Sequence, residues 1–151
     1  MHRLLQGDVG SGKTVVAGLA VLRAAENGMQ TAVMAPTEIL AEQHFRKFSE
    51  WLAPTGVRIA WLTGSPTTRE RNAAAKAIAS GDALLAVGTH ALFQQGIEFH
   101  ALGLAVVDEQ HRFGVAQRLQ LRRKLESNEL EPHLLMMSAT PIPRTLAMTY
   151  L

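Results

Sequence analysis

Eight residues near the start of the chain, Gly7-Asp8-Val9-Gly10-Ser11-Gly12-Lys13-Thr14, constrain its fold more than any other stretch. They fill every fixed position of G-x-x-x-x-G-K-[ST], a phosphate-binding loop that works only between an incoming strand and an outgoing helix. Glycine lets the backbone curl tightly with its N–H groups turned inward, which makes a concavity for an anion. A helix starting at Lys13 aims the positive end of its dipole at the same anion. Lys13 then reaches the β- and γ-phosphates of a nucleoside triphosphate, and the Thr14 hydroxyl is placed to ligate Mg²⁺. Gly7, Val9, Gly10, Ser11, Gly12, Lys13 and Thr14 are therefore the nucleotide-binding candidates. The flanks agree: Arg3-Leu4-Leu5-Gln6 reads as a short strand, and Val15 to Glu26 as a helix.

The rest of the chain repeats that alternation of apolar runs and helix-period segments, the pattern of βαβ units and a parallel sheet. Asn27-Gly28 stops the first helix, and Thr31 to Ala35 is a buried strand ended by Pro36. Thr37 caps a helix to about Leu52, with Leu40, Phe45, Phe48 and Leu52 near one face. Val57 to Leu62 is a strand, and Thr67-x-x-Glu70 is a capping box for a helix ending at Ser80-Gly81. Leu84 to Val87, Leu102 to Val107 and His133 to Met137 read as further strands. Ala91 to Phe93 reads as a helical turn, and Val115 to Leu125 and the stretch from Pro143 as helices. The predicted fold is α/β: a three-layer, RecA-like P-loop NTPase lobe with a mainly parallel sheet flanked by helices, one domain over residues 1–151.

Nearly every predicted strand ends in small or polar residues: Gln6-Gly7, Thr37, Thr63-Gly64, Gly88-Thr89, Asp108-Glu109 and Ser138-Ala139-Thr140. Ligands of open parallel sheets bind outside the carboxyl ends of the strands, so these ends predict one polar rim. Composition narrows the class only loosely. With 151 residues, 47% hydrophobic and 19% charged, the chain is an ordinary globular domain. No apolar run approaches the ~20 residues that span a bilayer, so no membrane partner is expected. There are no cysteines, and the six histidines lack ligand-like spacing, so no zinc site is expected. A net charge of +2 is weak evidence for a polyanion partner.

The second chemical centre is Asp108-Glu109-Gln110-His111, after an apolar strand. Asp108 at a strand tip can hold Mg²⁺ through water, opposite Thr14, because that ion favours one or two carboxylates plus phosphate oxygens. Glu109 is then placed to orient and deprotonate the water that attacks the γ-phosphate.

In order, Gly7 to Thr14, Ala35 to Ala41 (APTEILA), Asp108 to His111 and Ser138 to Thr140 resemble motifs I, Ia, II and III of superfamily 2 helicases. The longer strings Gly88 to Phe93 (GTHALF), Asp108 to Val115 (DEQHRFGV) and Ser138 to Ala147 (SATPIPRTLA) resemble the RecG family of ATP-dependent DNA branch-migration helicases. The transcription-repair coupling translocases share the RFG and ATPIPRT strings, but Gln110 and the APTEILA string favour RecG.

That resemblance implies ATP and Mg²⁺ as cofactors, with Lys13, Glu109 and His111 in catalysis. It implies His111, Ser138 and Thr140 as a couple between the nucleotide and motif III. Thr37, Gly64, Thr89 and His90 would line a DNA track, and Arg112, Phe113 and Arg144 would serve a DNA or lobe interface. Branched or forked DNA and a second RecA-like lobe would be the partners, in a bacterial cytoplasm at the nucleoid. The second lobe, with its arginine finger, and the family's DNA wedge domain have no counterpart in these residues, so the isolated lobe is expected to be inactive or very weak. Trp51, Trp61 and Tyr150 read as core or lobe-contact residues. Two other classes remain open: a truncated non-catalytic nucleotide-binding module, and a P-loop kinase with Arg112 to Lys124 as its lid.

Overall fold

The computed structural model describes residues 2–6, 13–62, 68–89, 92, 97–108 and 133–138. In chain order these form β1 (His2–Gln6), α1 (Lys13–Glu26), β2 (Gln30–Met34), α2 (Glu38–Leu52), β3 (Ile59–Leu62), α3 (Thr68–Ser80), β4 (Leu85–Gly88), β5 (Leu102–Asp108) and β6 (His133–Ser138). The six strands make one sheet in the order β1-β6-β5-β2-β4-β3. Every neighbouring pair is parallel.

Strand order and crossover hand decide which helix covers which face. From β1 to β2 and from β2 to β3 the chain moves the same way along the sheet, and from β3 to β4 it moves back. Right-handed crossovers then put α1 and α2 on one face and α3 on the other. The packing follows. Ala17 and Val21 of α1 and Phe48 and Leu52 of α2 pack with Val33, Leu85, Val87, Leu104 and Val106. Ile78 of α3 packs with the alternate residues Ala32, Met34, Ala60, Leu62, Ala86 and Val107. Burial of each large side chain such as Phe48 contributes about 1.5–3 kcal/mol.

Local chemistry sets the element ends. Thr37 is extended (φ −130, ψ 157), and its side chain accepts from Leu40 N, the N-cap expected of it. A 3₁₀ turn, Ala53–Thr55, follows α2 and closes on Gly56 at φ 75, a left-handed position that favours glycine. Val57 was expected in the next strand, but its N–H is taken by Thr55 Oγ1 at 3.3 Å, so β3 begins at Ile59. The capping Thr67, the turn around Ala91 and Phe93, and the helices expected from Val115 and Pro143 lie outside the described residues.

The sheet's lower edge is held by a polar clasp that the apolar pattern hid. Gln30 is buried; its Nε2 donates to Ile78 O at 2.7 Å and Ala83 O at 2.9 Å, and its Oε1 accepts from Ala101 N at 2.8 Å.

Candidate functional site

Because all strands run the same way, their carboxyl ends share one edge. The register draws the line: Leu62 pairs with Gly88, Gly88 with Met34, Met34 with Val107, and Val107 with Met136. One or two residues on come Thr89, Ala35, Asp108 and the pair Gln6 and Ser138. The ladder extends a step beyond β2, since Ala35 N donates to Gly88 O at 3.0 Å. The polar rim expected from the strand endings is therefore a single edge in this fold.

Two elements of the site meet there. Lys13 and Thr14 are the first two residues of α1, so they lie in the turn whose free N–H groups and dipole favour an anion. Asp108 ends β5, and β6 lies between β5 and β1. Two inter-strand spacings of about 4.8 Å separate the end of β1 from that of β5. Along β5, Leu104 and Val106 point to the face of α1 and α2, and the two-residue period turns Asp108 the same way.

Asp108 is 9% exposed and has one close partner among the described residues. His44 Nε2 lies 2.6 Å from its Oδ2. A carboxylate only accepts, so the imidazole carries the proton on Nε2 and donates. His44 is itself 7% exposed, on the buried stripe Ala41, His44, Phe48 and Leu52 of α2. Its ring stacks on Phe48 with centroids 6.1 Å apart and planes at 27°. Phe48 meets Trp51 edge-on at 6.0 Å. A Cβ at Gly18 of α1 would lie 3.1 Å from the Trp51 ring and 3.7 Å from Phe48, so α1 and α2 pack closely there.

Sequence reasoning passed over His44, because histidines were weighed by spacing from one another. The available signal was its position, three residues after buried Ala41 and four before Phe48. Nothing in the sequence pointed to Asp108 as its partner.

Of the other candidates, Thr37 is exposed at the rim, whereas Thr89 is buried and its carbonyl accepts from Leu92 N at 3.1 Å. Ser138 ends β6 beside Gln6. Gly7, Val9, Gly10, Ser11, Gly12, Gly64, His90, Glu109, His111 and Thr140 lie outside the described residues, as do Arg112, Phe113 and Arg144. Trp61 is half-buried against Phe45 at 4.9 Å, and Trp51 is 39% exposed. Among the described residues no three His, Cys, Asp or Glu side chains cluster to hold a metal, and no helix is long and apolar enough to cross a membrane.

Comparison with known proteins supports the fold. The chain is 57% identical over 149 residues to the ATP-dependent DNA helicase RecG of Escherichia coli K12, covering 99% of this chain and 22% of that protein. The Haemophilus influenzae RecG is 58% identical over the same length, again with 22% of the relative covered. The chain thus spans about a fifth of these relatives' length. A structure of RecG bound to a three-way DNA junction superposes with TM-score 0.81 and 44% identity, over 98% of this chain and 19% of that one. The Pyrococcus furiosus Hef helicase domain gives TM-score 0.73 at 23% identity, over 99% of this chain and 32% of that one, which speaks for the fold alone. The DEAD/DEAH box helicase model matches residues 2–149, and the chain belongs to that family.

Proposed function

We propose that this chain is the ATP-binding motor lobe of a DNA helicase or translocase that acts on branched DNA in recombination and repair. The observation that carries the proposal is the shared edge: β1, after which the chain leads to α1 with Lys13 and Thr14 as its first residues, and β5, which ends at Asp108, lie on either side of β6. RecG relatives more than half identical, and a RecG of 44% identity solved on a three-way DNA junction, support the choice of DNA over other phosphate acceptors.

In this reading the amides of Gly10, Ser11 and Gly12 and the Lys13 ammonium grip the triphosphate of ATP. The donor set fits Mg²⁺: one buried carboxylate whose Oδ1 has no hydrogen-bond partner among the described residues, and a hydroxyl residue, Thr14, in the first turn of a helix. Asp108 and Thr14 would hold the ion, which supplies charge neutralisation at the β- and γ-phosphates. Glu109 takes the proton of the attacking water. His111, Ser138 and Thr140 relay the nucleotide state to the DNA side, where Gly64, His90, the exposed Thr37 and the main chain at the buried Thr89 form the track for phosphates. A second RecA-like lobe would complete the ATP site with an arginine, a group worth roughly 10³–10⁵ in turnover in P-loop enzymes. The enzyme would work at the bacterial nucleoid without zinc.

The test is steady-state ATPase of the two-lobe protein, with and without forked DNA, beside a nucleotide-binding titration. Glu109→Gln should keep binding and abolish turnover, and Lys13→Ala should lose binding. DNA-independent hydrolysis, or substantial turnover in Glu109→Gln, would refute the reading, and phosphate transfer to a small acceptor would indicate a kinase.

A further inference from the structure

Asp108 is the last residue of β5, in register with Met137 of β6. It does not stand free. His44 holds one oxygen, Oδ2, at 2.6 Å, and the pair is almost wholly buried. The second oxygen, Oδ1, makes no hydrogen bond with any described residue. A buried carboxylate with one oxygen pinned, and the other without a partner among the described residues, has a preset direction.

The imidazole is itself held from its other side. It stacks on Phe48 one turn further along α2, at 6.1 Å and 27°. Phe48 in turn is fully buried between α2 and the sheet and touches Trp51, the ring against which Gly18 of α1 packs. One helix thus braces both halves of the nucleotide site, β5 through His44 and α1 through Trp51.

We propose that His44 is a positioning residue for the metal: its Nε2–H fixes the Asp108 carboxylate so that Oδ1 is presented to Mg²⁺. The inference rests on the nucleotide-site reading above, in which Asp108 serves as a ligand. It assigns no chemistry to His44 beyond orientation. Groups that orient a metal ligand typically contribute 10–100-fold in metal affinity. Loss of the donor also leaves a buried carboxylate oxygen without a partner, which favours a rotated Asp108.

Reach, rather than polarity, distinguishes the proposal from a merely structural role. Glutamine places an amide N–H near the position of the imidazole Nε2, whereas asparagine ends near Nδ1 and falls short of Asp108. The two amides have the same polarity, so they separate geometry from general burial effects. The experiment is a titration of Mg²⁺ at fixed fluorescent ATP analogue on the purified protein and on His44→Gln and His44→Asn. The same nucleotide is bound in EDTA as a reference, and thermal melting is recorded for all three. In His44→Asn the half-saturating Mg²⁺ concentration should rise by about 10–100-fold. In His44→Gln most of that rise should be absent, while binding in EDTA should match the parent for both. Equal Mg²⁺ dependence in the asparagine variant and the parent would overturn the positioning role. So would equal loss in Gln and Asn, or loss in EDTA as large as in Mg²⁺. If the parent binds the nucleotide without any Mg²⁺ dependence, the nucleotide-site reading fails and this inference with it. Should His44→Asn not fold, His44→Gln decides alone: it must keep the parental Mg²⁺ midpoint, and a rise in it overturns the proposal.

Discussion

Replacing Gln30 by methionine should cost the domain about 2–4 kcal/mol, although the two side chains have similar length and Gln30 lies far from the carboxyl edge. Its amide makes three bonds to the main chain: to Ile78 O at the end of α3, to Ala83 O before β4, and from Ala101 N before β5. After the change Ile78 O still accepts from Gly81 N at 3.3 Å, so that group is only partly deprived. Ala83 O and Ala101 N lose the bond that the amide gave them. Each buried polar group left without a partner costs about 1–3 kcal/mol, and the apolar methionine side chain recovers up to about 1 by being buried. Glutamate should be worse than methionine. It offers no donor to Ile78 O and Ala83 O and brings a charge into a site that is 2% exposed. The assay is urea unfolding followed by circular dichroism, where a lower midpoint at constant slope reports stability alone. A Gln30→Met midpoint within about 0.5 kcal/mol of the parent, the range of ordinary surface changes, would refute the clasp. So would a Gln30→Glu protein as stable as Gln30→Met.

Four further outcomes follow from the same packing. Gly88→Ala should cost about 3 kcal/mol or more, the upper end of overpacking, because a Cβ there would lie 2.0 Å from Leu62 O on the neighbouring strand; a melting temperature near the parent's would show that β3 can yield. Thr31→Val should be neutral or stabilise by about 1 kcal/mol, since the fully buried Thr31 Oγ1 has no hydrogen-bond partner among the described residues, and a clear drop in urea midpoint would reveal a partner. Phe48→Ala should cost about 3–5 kcal/mol in the same assay, and it should also raise the Mg²⁺ midpoint by loosening His44. Thr37→Ala should cost about 1 kcal/mol by removing the cap to Leu40 N, with Thr37→Ser retaining most of it; equal loss in both would deny the cap.

The arrangement of elements was legible because two periodicities alternate along the chain and glycines mark the joins. Asn27-Gly28 ended α1 as read, and Gly28 and Gly81 take φ 72 and φ 85, which an L side chain rarely adopts. The cap at Thr37 was legible for the same local reason. What stayed hidden depends on contacts between distant residues. Gln30 reads as a polar residue before a strand, yet its three partners lie 48 to 71 positions away. His44 meets Asp108 across 64 positions, a pairing that one sequence does not encode locally. The start of β3 was misplaced because a serine- or threonine-type turn at Thr55 competes for the Val57 N–H, and that competition is settled by the geometry of the turn.

The direction in which the chain travels along the sheet decides whether α1, α2 and Asp108 reach the one edge where the proposed nucleotide site lies. Had the connection from β2 run back toward β1, a right-handed crossover would have put α2 on the face opposite α1. Asp108, turned toward the α1 face by its place on β5, would then have no α2 residue within reach. Two successive moves in one direction instead stack α1 and α2 side by side, with β2 adjacent to β5. The first turns of both helices then open onto the same edge as the Asp108 carboxylate. Reversal at β3 sends α3 to the far face, where it shields Met34, Leu62 and Val107 without approaching that carboxylate. The site is thus a consequence of strand order, and α2 connects its two sides because β2 is placed between β5 and β4. A helix capped by the exposed Thr37 and carrying His44 two turns later spans the interval from the proposed DNA track to the proposed metal ligand in one rigid element.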